Sequence, residues 1–110
     1  MFAGGAFVTY TGRNEDGAFA SATILKQTKA SHVFMPQYRL SHGDNTRFPA
    51  ALQDVVTAYC YLTQELGVPA SKIVLSGDSA GANLVMAFVR YLADHGKEVE
   101  LDNPKAAWLW

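Results

Sequence analysis

Residues 72–82 read "KIVLSGDSAGA", a serine between two glycines where an apolar run gives way to a helical pattern. No other stretch limits the fold so tightly. "KIVLS" is a short continuous apolar run of the kind buried on both faces of a parallel sheet, which predicts a strand near residues 72–76. From about Ala80 to His95 the apolar residues recur at helical spacing, and Gly96 supplies the stop. With Gly77 and Gly81 on either side, strand and helix can approach closely while Ser79 stands on a strained turn between them.

The rest of the chain repeats the same alternation. "MFAGGAFVTY" reads as a strand stub running into a glycine-containing loop. "TGRNEDG" is a polar turn cluster, and "AFASATILKQTK" is a helix with Asp16 near its start. "HVFMPQYRL" reads as a second strand, although Pro36 cannot donate to a ladder and marks an edge or a bulge. After the loop "SHGDNTRFP", Pro49 suits the first turn of a helix, where a missing N–H costs nothing. Leu52, Val55, Val56, Tyr59, Leu62 and Leu66 form that helix's apolar stripe until Gly67 ends it. "PKAAWLW" begins a last strand. The order β-α-β-α-β-α-β implies an α/β fold: a parallel sheet of about four strands with crossover helices on both faces.

At 110 residues, 49% hydrophobic and 17% charged, the whole chain, 1–110, is expected to form one domain around one core. The formal net charge is −1 and no basic run occurs, so neither a nucleic-acid face nor a membrane-surface patch is indicated. The opening residues have neither the basic start of a signal peptide nor the length to span a bilayer, so the default location is cytoplasmic. Cys60 is the single cysteine; set among Tyr59, Tyr61 and Leu62, it reads as a structural thiol.

Ser79 carries the chemical possibility. A serine hydroxyl is a poor nucleophile, and attack on a carbonyl requires exposure, a nearby base and donors waiting for the oxyanion. The backbone N–H of Ala80 and the positive end of the helix that starts there would point toward developing negative charge. Asp78, its neighbour on the turn, reads as structural.

Three segments together resemble one family. "YRLSHGDNTRFPAALQD" at 38–54 resembles the Tyr-Arg-Leu and Phe-Pro-Ala-Ala segments of the hormone-sensitive-lipase-like group of α/β-hydrolases (α/β-hydrolase fold-3), in its fungal-looking forms. "GDSAGANL" resembles that group's nucleophile elbow, and "FAGGAF" at 2–7 its His-Gly-Gly-Gly oxyanion loop. The resemblance implies carboxylic-ester hydrolysis through an acyl-enzyme on Ser79, with a small-molecule ester or acyl substrate and neither metal nor organic cofactor. It also implies an oxyanion hole from the N–H groups of Gly5, Ala6 and Ala80. Ala3 stands at the family's loop histidine and Ala6 at its third glycine; alanine keeps the donor there if its φ stays negative.

By the same resemblance, the chain covers the third to the sixth strands of the family's sheet, in the spatial order 4-3-5-6. That order brings the glycine loop beside the elbow, in the crevice where open α/β sheets bind ligands. Triad partners in this fold follow the serine in the order acid, then histidine. Only 31 residues follow Ser79, and the one histidine among them, His95, lies sixteen residues down the helix. At about 1.5 Å per residue that is about 24 Å, out of hydrogen-bond reach. His32 belongs to the opposite end of its strand, and Asp94, Glu98, Glu100 and Asp102 read as a solvated helix end and loop. His42 follows the same strand on the catalytic side and is the only local candidate for a base.

The chain is therefore expected to be a central piece of a hydrolase, inactive by itself. The alternative is a non-catalytic small-ligand binder on the same fold, since the group resembles the plant gibberellin receptors, which keep the cleft without the full catalytic set. A nucleotide-binding domain fits poorly, because "SGDSAGAN" is neither G-x-G-x-x-G nor a P-loop.

Overall fold

The computed structural model describes residues 1–9 and 15–110. Its elements, in chain order, are α1 (Glu15–Gln27), α2 (Ala50–Cys60), β1 (Val74–Gly77), α3 (Ala80–His95) and β2 (Ala106–Leu109). Short 3-10 turns lie at Asp44–Thr46 and Ala70–Lys72, and a π-helical turn at Tyr61–Glu65 continues α2. The polar cluster expected before α1 falls mostly on residues 10–14, outside the described residues, as does the side chain of residue 16.

β1 and β2 pair in parallel, with Val74 opposite Ala106 and Gly77 opposite Leu109, and α3 is the crossover between them. A parallel pair cannot be joined by a hairpin, so the long apolar helix between these strands is what their direction requires. The stripe Leu84, Val85, Phe88 and Leu92 puts one side of α3 into the core, with Val85 and Phe88 fully buried. Tyr59 of α2 meets Phe88 edge-on, with ring centroids 5.0 Å apart and planes at 62°. Ile73, Leu75, Val55, Phe2, Tyr38 and Leu101 complete the same cluster.

The expected sheet of about four strands is corrected by the structure: among the described residues only two strands form a ladder. Phe2 makes one parallel bridge to Gly77, its N–H donating to the Ser76 carbonyl at 2.7 Å. Residues 32–40 run without regular structure where a strand was expected. They are linked to the N-terminal stub by the Met1 amine on the Phe34 carbonyl at 2.8 Å and by the Tyr38 hydroxyl on the Ala3 carbonyl. The physical reason is local. Residues 1–3 offer too short an edge, because the backbone turns away at Gly5, φ 107°, and Pro36 has no N–H to give. The lateral sequence of segments, 32–40, then 1–3, then β1, then β2, nonetheless follows the 4-3-5-6 order.

α2 begins one residue later than expected, with Pro49 as its N-cap after a cis Phe48–Pro49 bond. It ends as expected: the π turn closes with the Leu66 N–H on the Tyr61 carbonyl at 2.9 Å, and Gly67 takes φ 66°. Arg39 ties this helix to the preceding segment. Its guanidinium meets both oxygens of Asp54 and the Ala50 carbonyl, while its own N–H donates to Asp54 at 2.7 Å. Cys60 is a half-buried free thiol. No helix among the described residues is long and apolar enough to cross a membrane.

Candidate active site at the strand–helix elbow

Ser79 is the N-cap of α3, two residues beyond the end of β1, with φ 49° and ψ −115°. It is exposed, whereas Leu75, Ser76, Gly77, Ala80 and Gly81 around it are buried. A non-glycine residue in this region of backbone space costs on the order of 1–3 kcal/mol and persists only where its surroundings hold it. They do so on three sides. The Ser79 carbonyl accepts the first helical bond, from Asn83 N–H at 3.0 Å, and the Asp78 carbonyl accepts Gly81 N–H at 2.7 Å. The Ser79 N–H in turn donates to the Trp110 carbonyl at 3.4 Å, just beyond β2.

Both glycines are sterically required. A Cβ at Gly77 would overlap the Gly81 carbonyl and come within 2.7 Å of the Ala82 nitrogen; one at Gly81 would overlap the Phe2 carbonyl. The elbow thus closes on itself and on the N-terminal loop.

That loop lies beside the elbow, as the expected strand order demands. Gly4 N–H donates to the Asp78 carboxylate at 3.0 Å, and the Tyr38 hydroxyl donates to the Ala3 carbonyl. Gly5, Ala6 and Phe7 then take φ values of 107°, 52° and 64°, and Val8 and Thr9 N–H groups turn back onto the Gly5 carbonyl at 3.0 Å. The condition set for Ala6, a negative φ, is not met, so the loop departs from the geometry in which alanine would replace glycine without strain. The loop demands a left-handed residue at 6, as a glycine would supply, and alanine is held there against its preference.

Asp78 and Tyr38 are the residues whose part sequence reasoning missed. Burial, and after it the charge of Asp78, raise the Tyr38 phenol above its ordinary pKa. Their only sequence signal was the position of Tyr38 in the "YRL" segment and of Asp78 next to Ser79. Nothing in spacing alone said that both would reach the glycine loop.

The histidines are dispersed. His95, at the last turn of α3, faces Glu98 at 3.1 Å and the Tyr91 ring. His32 is exposed beside the Ser31 hydroxyl. His42 is exposed in the 41–49 loop, where Thr46 Oγ1 receives its N–H at 3.0 Å. Asp94 pairs with Arg90 at 2.7 Å, in line with a solvated helix end. A largely apolar cleft of about 390 Å³ opens beside the elbow, lined by Ala3, Phe19, Ile24, Met35, Asp78 and Trp110 among others.

Comparison with known proteins agrees with this geometry. A family model described as alpha/beta hydrolase fold matches residues 1–110. An acetyl-hydrolase of Streptomyces hygroscopicus is 47% identical over 49 residues, 44% of this chain and 16% of the relative. Among solved structures, a hormone-sensitive lipase from a metagenome library superposes with a TM-score of 0.75 at 29% identity, over 98% of this chain and 33% of the other. EstE7, a hormone-sensitive-lipase homologue also from a metagenome library, gives 0.73 at 29% identity, over 98% of this chain and 34% of its own length. The chain thus spans about a third of the structures it resembles.

Proposed function

The chain belongs to the alpha/beta hydrolase fold family, and from that premise we propose that Ser79 is the nucleophile of a carboxylic-ester hydrolase working through an acyl-enzyme. Ester hydrolysis as a class is what the family and the similar proteins suggest; the serine mechanism is our reading. The observation that carries it is the backbone of Ser79, exposed at φ 49°, ψ −115° between a buried strand and a helix N-terminus.

In this scheme Ser79 Oγ bonds to the ester carbonyl carbon while a base takes its proton. The carbonyl oxygen becomes an anion held by the N–H groups of Gly5, Ala6 and Ala80. Collapse expels the alcohol, which receives the proton, and water then repeats the sequence to release the acid. The first N–H groups of a helix have no intrahelical partner, which makes Ala80 a suitable donor. The scheme needs a histidine and an acid partner, and His32, His42 and His95 are each engaged away from Ser79, so residues 1–110 alone are expected to be inactive. A cytoplasmic location, a small-molecule ester as partner, no nucleic acid and a fungal affinity belong to the same proposal.

A serine-directed phosphonate tests it. In the protein as expressed from its own gene, the reagent should add its mass to the peptide containing Ser79, and Ser79→Ala should abolish that label. The second reading, a non-catalytic small-ligand binder, is favoured by the strained Ala6 in the donor loop. Ligand binding without any label on Ser79 would select it.

A further inference from the structure

We infer that Asp78 and Tyr38 are positioning residues that lock the peptide plane between Ala3 and Gly4 and so aim the N–H groups of Gly5 and Ala6 at the Ser79 elbow. This rests on the hydrolase reading for its purpose, though not for its geometry. The two bonds described above fall on opposite ends of one peptide unit: the Ala3 carbonyl accepts from Tyr38 and the Gly4 N–H donates to Asp78. A peptide plane gripped at both polar ends resists rotation, and the N–H groups of Gly5 and Ala6 follow it by one and two residues along the chain.

The grip is rigid because its own anchors are. Asp78 sits one residue before Ser79, so its carboxylate moves with the nucleophile. The fit at Gly4 is closed, since a Cβ there would overlap Asp78 Oδ2 and stand 3.1 Å from the Asp78 carbonyl oxygen. Tyr38 is 4% exposed, with Phe7 edge-on against it at 6.2 Å between centroids. The carboxylate is a charged acceptor, which makes its bond to Gly4 about twice as strong as a neutral one. Without it, a loop forced to positive φ at Ala6 and Phe7 would have a cheaper conformation within reach.

Amide exchange and NMR on the 110-residue chain test the clamp without any turnover. Asp78→Ala should cut the protection of Gly4 N–H by about tenfold or more while that of Phe88, inside α3, is unchanged. Asp78→Asn keeps an acceptor oxygen but no charge: it should restore most of the Gly4 protection and lower the titration midpoint of the Tyr38 phenol. Tyr38→Phe should loosen Gly4 as well, through the freed Ala3 carbonyl. Unchanged Gly4 protection in Asp78→Ala, or an equal loss at Gly4 and Phe88, would overturn the inference, the second by making Asp78 a general stability residue. Phosphonate labelling of the protein as expressed from its own gene keeps the two ideas apart. An intact clamp signature with no label on Ser79 rejects the hydrolase reading alone, and a labelled Ser79 with Gly4 indifferent to Asp78 rejects the clamp alone.

Discussion

Gly81 lies beneath the carbonyl groups of Phe2 and Ala3 with no room for a side chain: a methyl there would overlap the first and stop 2.9 Å from the oxygen of the second. Those atoms are backbone, in a segment held by the Phe2 bridge to Gly77 and by Tyr38, so neither can yield cheaply. Gly81→Ala should therefore destabilise the chain by about 1–3 kcal/mol in urea unfolding. Gly43 is the control. A Cβ at Gly43 meets nothing within 4 Å, and its φ of −167° is ordinary extended backbone. Gly43→Ala should be neutral or slightly stabilising. Equal midpoints for the two variants would contradict the close packing of the elbow on the loop.

Ala6→Gly should raise stability. At φ 52° an L-residue pays about 1–2 kcal/mol that glycine does not, against about 0.5–1 kcal/mol of extra unfolded-state entropy for glycine. The expected net gain is about 0.5–1 kcal/mol, readable as a rise in the thermal midpoint. A fall would mean that the Ala6 methyl makes a packing contact worth more than its strain.

High pH should weaken the core through Tyr59. Burial, and after it the charge of Asp102, push its phenol up to about 12, while its hydroxyl donates to the Asp102 carbonyl at 2.8 Å. The unfolded phenol ionises near its ordinary value of about 10. The folded state thus keeps its proton longer, and the stabilisation is complete below about pH 10 and lost as pH rises toward about 12. Tyr59→Phe should cost about 1 kcal/mol at neutral pH for the lost hydrogen bond. It should also flatten the alkaline slope relative to the parent chain. Parallel slopes in parent and variant would remove Tyr59 from the account.

The elements that were legible from sequence were those whose partners are close in the chain. The span of α3, Ala80–His95, matches the expected helix because its apolar stripe and Gly96 are both local signals. The turn at Ser79 was legible because two glycines with no room for a Cβ leave few other geometries. The segment 32–40 was misjudged for the opposite reason. Its composition suits a strand, but a strand exists only where a neighbour offers a ladder, and residues 1–3 offer a single bridge to β1. Ala6 and Asp78 were opaque for a related reason. Whether residue 6 must be left-handed, and which amide a carboxylate at 78 will meet, depend on how two segments more than seventy residues apart are laid together.

The 110-residue chain should hydrolyse p-nitrophenyl acetate little faster than buffer does. A serine without a base keeps its proton at neutral pH and is a weak nucleophile. His95, at the far end of α3 from Ser79, is engaged with Glu98. Where a triad member is removed from a complete enzyme, about a thousandfold to ten-thousandfold acceleration over water survives, but that residue of activity needs an intact oxyanion hole and bound substrate. Here the proposed hole would include a strained Ala6, and the cleft beside the elbow is open. Turnover well above buffer that vanishes in Ser79→Ala would show that a base is present after all. If it vanished in His42→Ala too, the exposed histidine of the 41–49 loop would be that base.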